Sequence, residues 1–128
     1  MFDKNGSATT GFICASGGNS KGTYTDGSEK YTGYAKLNSG ATIKFTTAKK
    51  MNIKILAKVS NNTAEKTKLK IGDTTYDLTG GSAAATKTGT DATEQYSCTA
   101  TIEAGDWTIE RGADKEIYVF AIKLTPAE

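Results

Sequence analysis

Near the C-terminus, Ile117, Tyr118, Val119, Phe120, Ala121 and Ile122 follow one another without a charged side chain. Side chains of a strand alternate between two faces, so Ile117, Val119 and Ala121 share one face and Tyr118, Phe120 and Ile122 the other. Both faces are then apolar, and such a strand must be covered on both sides, as inside a sandwich. The segment before it, from Gly105, carries the single Trp, Trp107. The two are joined by a charged turn from Arg111 to Glu116 and read as a final hairpin, a scaffold whose polar end is where a ligand would be met.

The rest of the chain agrees with this class. No stretch of twelve residues keeps a 3.6-residue period, and 14 Gly stand against one Pro. Short alternating segments dominate, which predicts an all-β fold, an antiparallel β-sandwich of jelly-roll type, with residues 1–128 as one domain. Residues 1–10 read as a lead-in and 11–15 as a short first strand. Residues 16–34 contain five Gly and read as a long loop bearing Lys21, Tyr24, Lys30, Tyr31 and Tyr34. Strands are expected over 34–38 and 41–47, with Ile43 and Phe45 inward, and over 51–59. In the last, Ile53, Ile55, Ala57 and Val59 face inward, Lys54 and Lys58 outward, and Leu56 breaks the alternation. Segments 66–71 and 74–78 form a hairpin around Gly72 and Asp73. Residues 79–94 are a low-complexity insertion, and 95–102 are a strand with Tyr96, Cys98, Ala100 and Ile102 on one face.

Charge narrows the function. The 128 residues carry a net charge of +2, so neither nucleic acid nor a membrane is an expected partner. No apolar run is long enough to cross a bilayer, and no signal-peptide pattern is present; a leader or neighbouring domains beyond this stretch are expected. His is absent, which removes the commonest general base and most zinc schemes. Cys14 and Cys98 fit equally a disulfide of an oxidising compartment or two buried thiols. No cofactor is expected, although a structural calcium held by carbonyls and carboxylates would leave no mark in the sequence.

No activated nucleophile can be named. Asp26, Glu29, Asp106, Glu110, Asp114 and Glu116 could in principle supply a carboxylate pair, but all lie in charged turns where solvated carboxylates are ordinary, so no enzyme is expected. Binding remains. Neutral glycans are usually held on aromatic platforms, yet Trp107 sits where it suits a core. Fifteen of the 16 basic residues are Lys, a better match to a carboxylated polysaccharide.

Tyr31, Gly33, Lys36 and Leu37 after a Gly-rich loop, the Thr42 to Phe45 strand, and the run from Ala104 to Gly112 before an aromatic last strand form an ordered pattern. Over residues 11–124 it resembles the family 77 carbohydrate-binding modules, small β-sandwiches appended to bacterial pectate lyases and related plant cell-wall enzymes. The resemblance implies a secreted, non-catalytic module that binds pectin, chiefly de-esterified homogalacturonan, through basic residues. It places those at Lys21, Lys36 and Arg111, with Lys115 a second candidate in the same turn and Tyr31 completing the ligand-binding set. The implied partners are the polysaccharide and a parent multi-domain enzyme, with the module itself monomeric. The 79–94 insertion and the two Cys depart from the pattern. Two alternatives stand beside this: a neutral β-glucan or xyloglucan binder using Trp107 and the tyrosines, and a structural or adhesive sandwich of a bacterial surface protein.

Overall fold

The computed structural model describes residues 12–13, 24–31, 34–38, 40, 42–60, 65–80 and 95–127. Among them are eleven strands and no helix: β1 (Phe12–Ile13), β2 (Tyr24–Asp26), β3 (Glu29–Tyr31), β4 (Ala35–Leu37), β5 (Ile43–Thr47), β6 (Met51–Val59), β7 (Lys68–Ile71), β8 (Thr74–Asp77), β9 (Tyr96–Ile102), β10 (Gly105–Arg111) and β11 (Ile117–Pro126). All pairs are antiparallel. The first sheet runs β9-β6-β11, with β4 and β1 sharing the far edge of β11. The second runs β5-β10-β7-β8, and β2 with β3 forms a separate hairpin. The expected all-β sandwich is what forms.

Its main core contains Ile53, Ile55, Ala57 and Val59 of β6, Leu69 and Ile71 of β7, Ile43 and Phe45 of β5, Ile109 of β10, and Ile117, Val119, Ile122 and Leu124 of β11. β11 is apolar on its other face because a second core lies there: Tyr118, Phe120 and Ala121 pack with Leu56, Tyr24, Tyr31 and Tyr34. This cover explains why Leu56 breaks the alternation of β6. A register shift between Val119 and Ala121 makes Phe120 an extra residue. The bulge changes the expected faces: Ala121 joins Phe120 in the second core and Ile122 turns into the main one.

Three further expectations are corrected. Residues 105–124 do not form a hairpin, because β10 and β11 belong to different sheets and residues 112–116 arch between them. Both strands have an inward apolar face to bury, and facing sheets satisfy both. Residues 16–34 are not loop throughout, since β2 and β3 pair around a turn at Gly27, φ +62°. Gly27 and Ser28 form the same type of two-residue turn, with Gly first, as Gly72 and Asp73. Finally, Lys58 lies on the outer face of β6 as expected but is buried, its Nζ 5.4 Å from the Phe120 ring centroid. Burial lowers its pKa.

The β7–β8 hairpin forms where expected. Gly72 has φ +61°, and a Cβ there would come within 2.8 Å of the Trp107 ring. Gly72→Ala should therefore cost more than about 1 kcal/mol, read as a lowered urea midpoint.

The β2–β3 hairpin is tied down along its length. Tyr24 donates its hydroxyl hydrogen to the Tyr96 carbonyl at 2.7 Å. The Gln95 side chain accepts from the Thr25 amide at 2.7 Å and donates to the Thr25 carbonyl at 2.8 Å. Lys123 donates to Asp26 at 2.6 Å and to Glu29 at 2.9 Å. Its hydrogen bond to Lys123 is the main reason the Asp26 carboxyl stays below its usual range, and the same holds for Glu29. Partial burial opposes the charge on Lys123, but hydrogen bonds to Asp26, Glu29 and Tyr31 outweigh it and raise its pKa. Depressed carboxyl pKa values stabilise the fold above the unfolded values of 3.8 and 4.5, and that stability is lost as pH falls through the lower folded values. The raised Lys123 pKa contributes at all pH below its unfolded value of 10.5 and is lost only as pH rises through the folded one. Lys123→Met should thus lower stability at pH 7 by about 1 kcal/mol or less. Thermal melts from pH 7 to 3 should show a shallower acid loss in the variant than in the wild type.

Candidate functional site

The arch of residues 112–116 positions the candidate site. Its first amide, Gly112, donates to the Lys68 carbonyl at 2.9 Å, and Ser60 donates its amide to the Glu116 carbonyl at 3.2 Å. A Cβ on Gly112 would meet the backbone of Lys68 and Leu69 at 2.9 Å, so the arch leaves β10 pressed against β7. Arg111 ends β10 opposite Leu69. Lys115 follows four residues later, within about 14 Å of chain. On the outer face of the first sheet, Tyr118 is flanked in register by Lys36 of β4 and Lys58 of β6. Lys36 and Lys115 are exposed and Arg111 half-buried.

Lys36, Arg111 and Lys115 thus gather around one end of the sandwich, where the arch crosses. Glu116 lies near two of them, Lys36 and Lys115, and Ser60 donates its hydroxyl hydrogen to the Glu116 carboxylate at 3.2 Å. The Glu116 backbone amide first, then Ser60, Lys36 and Lys115, hold this carboxyl below the usual range against the opposing effect of burial. Lys21 lies outside the described residues. Tyr31, expected beside them, is instead 4% exposed in the second core, with Lys123 5.5 Å from its ring centroid. It offers no open ring face.

The nearby carboxylates are occupied. Glu110 pairs with Lys70 at 3.7 Å and Asp114 with Lys66 at 2.6 Å, while Lys68 pairs with Asp77. The Lys row of 66, 68 and 70 is therefore spent on internal pairs. Among the described residues, Lys36, Arg111 and Lys115 have no ion-pair partner. Three cations and one carboxylate make an end with spare positive charge, suited to hold an anion.

Among the described residues no acid–base pair emerges. A general acid at neutral pH needs a raised carboxyl pKa, whereas Asp26, Glu29, Asp114 and Glu116 all shift down. Asp106 accepts from the Thr46 hydroxyl at 2.7 Å. Among the described residues, no group of three His, Cys, Asp or Glu side chains could hold a metal. Cys98 is a buried free thiol whose pKa burial pushes up to about 11; Cys14 lies outside the described residues. Among the described residues no aromatic platform replaces the cations: Tyr24, Tyr31, Tyr34 and Tyr118 are all buried. Trp107 packs partly against the main core and donates its indole N–H to the Glu103 carbonyl at 2.8 Å.

Sequence reasoning named Lys58 and Glu116 but gave neither a part in the binding site. The signal for Lys58 was Leu56, whose apolar side chain on the outer face required a cover there.

The model of carbohydrate binding module 77 matches residues 1–120, and the chain belongs to that family of non-catalytic modules. A solved structure from work on the Ruminococcus flavefaciens cellulosome, concerning an expansion in glycan recognition, has the same fold at a TM-score of 0.58. It is 17% identical, covering 94% of this chain and 85% of that one. No curated protein matches the chain.

Proposed function

We propose that this module binds de-esterified homogalacturonan and so holds a parent multi-domain enzyme on the plant cell wall, outside the bacterial cell. Lys36, Arg111 and Lys115 pair with galacturonate carboxylates along the chain, and Lys21 joins them from the Gly-rich loop. Arg111, the one Arg, provides a planar fork for a carboxylate, and the lysines act as point charges. The observation that carries this reading is the absence of an internal ion pair at all three described cations while Glu110 and Asp114 are held by Lys70 and Lys66. The module acts as a monomer without a cofactor, catalyses nothing, and uses neither nucleic acid nor membrane as a partner.

Affinity gels containing pectins of graded methyl-esterification test the reading. Retardation should fall as esterification rises, because each ester removes one acceptor charge. It should also fall as salt increases, because the cations are exposed or half-buried. A chelator should leave it unchanged. Equal retardation by all pectins would refute carboxylate recognition, and none on any polysaccharide would favour the adhesive-domain alternative.

A further inference from the structure

The outer face of the first sheet carries a second polar surface, away from the cationic end. Register places Thr125, Asn52 and Thr101 in one row across β11, β6 and β9, and Lys123, Lys54 and Thr99 in the next. These six residues line a groove of about 550 Å³. Neighbours within a row stand about 4.8 Å apart and the rows about 6.6 Å apart, which makes a flat grid of donors and acceptors. Asp26 and Glu29 of the hairpin turn meet the grid through Lys123.

The charges of this cluster cancel. Lys123 bonds both carboxylates, and Lys54 lies 3.9 Å from Asp26, so two cations face two anions. Nothing here favours an anionic ligand. Hydrogen-bonding capacity is nevertheless left over. Thr101 donates its hydroxyl hydrogen to the Asn52 side-chain oxygen at 2.9 Å, which leaves the Asn52 amide hydrogens to donate outward. Thr99 and Thr125 are exposed, and Lys54 is held only at long range. Amide, hydroxyls and a loosely tethered ammonium, with threonine methyls between them, match a ring that is uncharged and rich in hydroxyls.

We infer that this groove is a second glycan subsite, which takes an uncharged sugar unit and works independently of the cationic end. The unit comes either from a neutral branch of the polyuronide or from a separate neutral polysaccharide. Affinity is weak, about millimolar, because few groups are immobilised and no aromatic ring stacks on the sugar.

Amide chemical shifts of the ¹⁵N-labelled protein test this. β-1,4-linked galactose and glucose tetramers stand for the two sources, and a galacturonate oligomer probes the other end. At least one neutral tetramer should shift the amides of Asn52, Lys54, Thr99 and Thr101, with no loss in 0.5 M salt. The galacturonate oligomer should instead shift those of Lys36 and Arg111 to Glu116. Asn52→Ala with Thr101→Ala should abolish the neutral response and leave the galacturonate response intact. Neutral tetramers that shift no grid amide, or a neutral response that survives the double replacement, would overturn the subsite. A galacturonate oligomer that moves nothing would count against the proposed pectin reading alone.

Discussion

Replacing Phe120 by Ala is expected to destabilise the module by about 3–5 kcal/mol, the range for truncating a buried aromatic. Phe120 is fully buried and closes the second core: its ring centroid lies 5.8 Å from that of Tyr24 and 5.4 Å from that of Tyr34. Lys58 also rests above it. Truncation removes these contacts together and leaves a cavity beneath the β2–β3 hairpin. Amides of residues 24–31 should then lose more protection against hydrogen exchange than those of β7. Urea unfolding gives the stability change, and Phe120→Leu should cost much less. A loss under about 1 kcal/mol would mean that the outer face of β11 is not a closed core.

That core was partly legible in the sequence. The run from Ile117 to Ile122 requires cover on two sides, and Leu56 shows that β6 shares the covered face. What provides the cover was not legible, because Tyr24, Tyr31 and Tyr34 lie in a Gly-rich stretch whose composition resembles a loop. The bulge at Phe120 was equally silent: alternation assigns faces only where register is unbroken. The charged segment from Arg111 to Glu116 announced a polar end, yet a tight turn and an arch between sheets carry the same residues. Which cations remain available was hardest to read. It depends on Lys66 reaching Asp114, 48 residues away in sequence, and Lys70 reaching Glu110. Those pairs leave Arg111 unpaired, and only the fold brings them together.

The double replacement of Lys36 and Arg111 by Ala is expected to weaken binding to de-esterified galacturonan at least about a hundredfold. Each charge-assisted bond to a carboxylate contributes about 1.5–3 kcal/mol, and the lower end applies at this open surface. Two such losses total about 3 kcal/mol, or slightly more than two decades in affinity. Neither residue supports the fold through an ion pair, so the melting temperature should change little. Lys44→Ala provides the control: it removes the same charge from an exposed position on the second sheet, opposite Thr108. It should leave affinity within about twofold. Arg111→Lys should fall between wild type and Arg111→Ala, since the charge remains but the fork is lost. If the double variant binds as the wild type does, the site lies elsewhere.

The most direct measurement is calorimetric titration of the wild-type module with one oligogalacturonate, in its free-acid form and as its full methyl ester, at equal length and low salt. The two differ only at the carboxyl groups, where each ester replaces the negative charge with a methyl cap. Tight binding of the free acid with little or none of the ester is the predicted result. Equal affinity for both would contradict recognition of the glycan through its carboxylates.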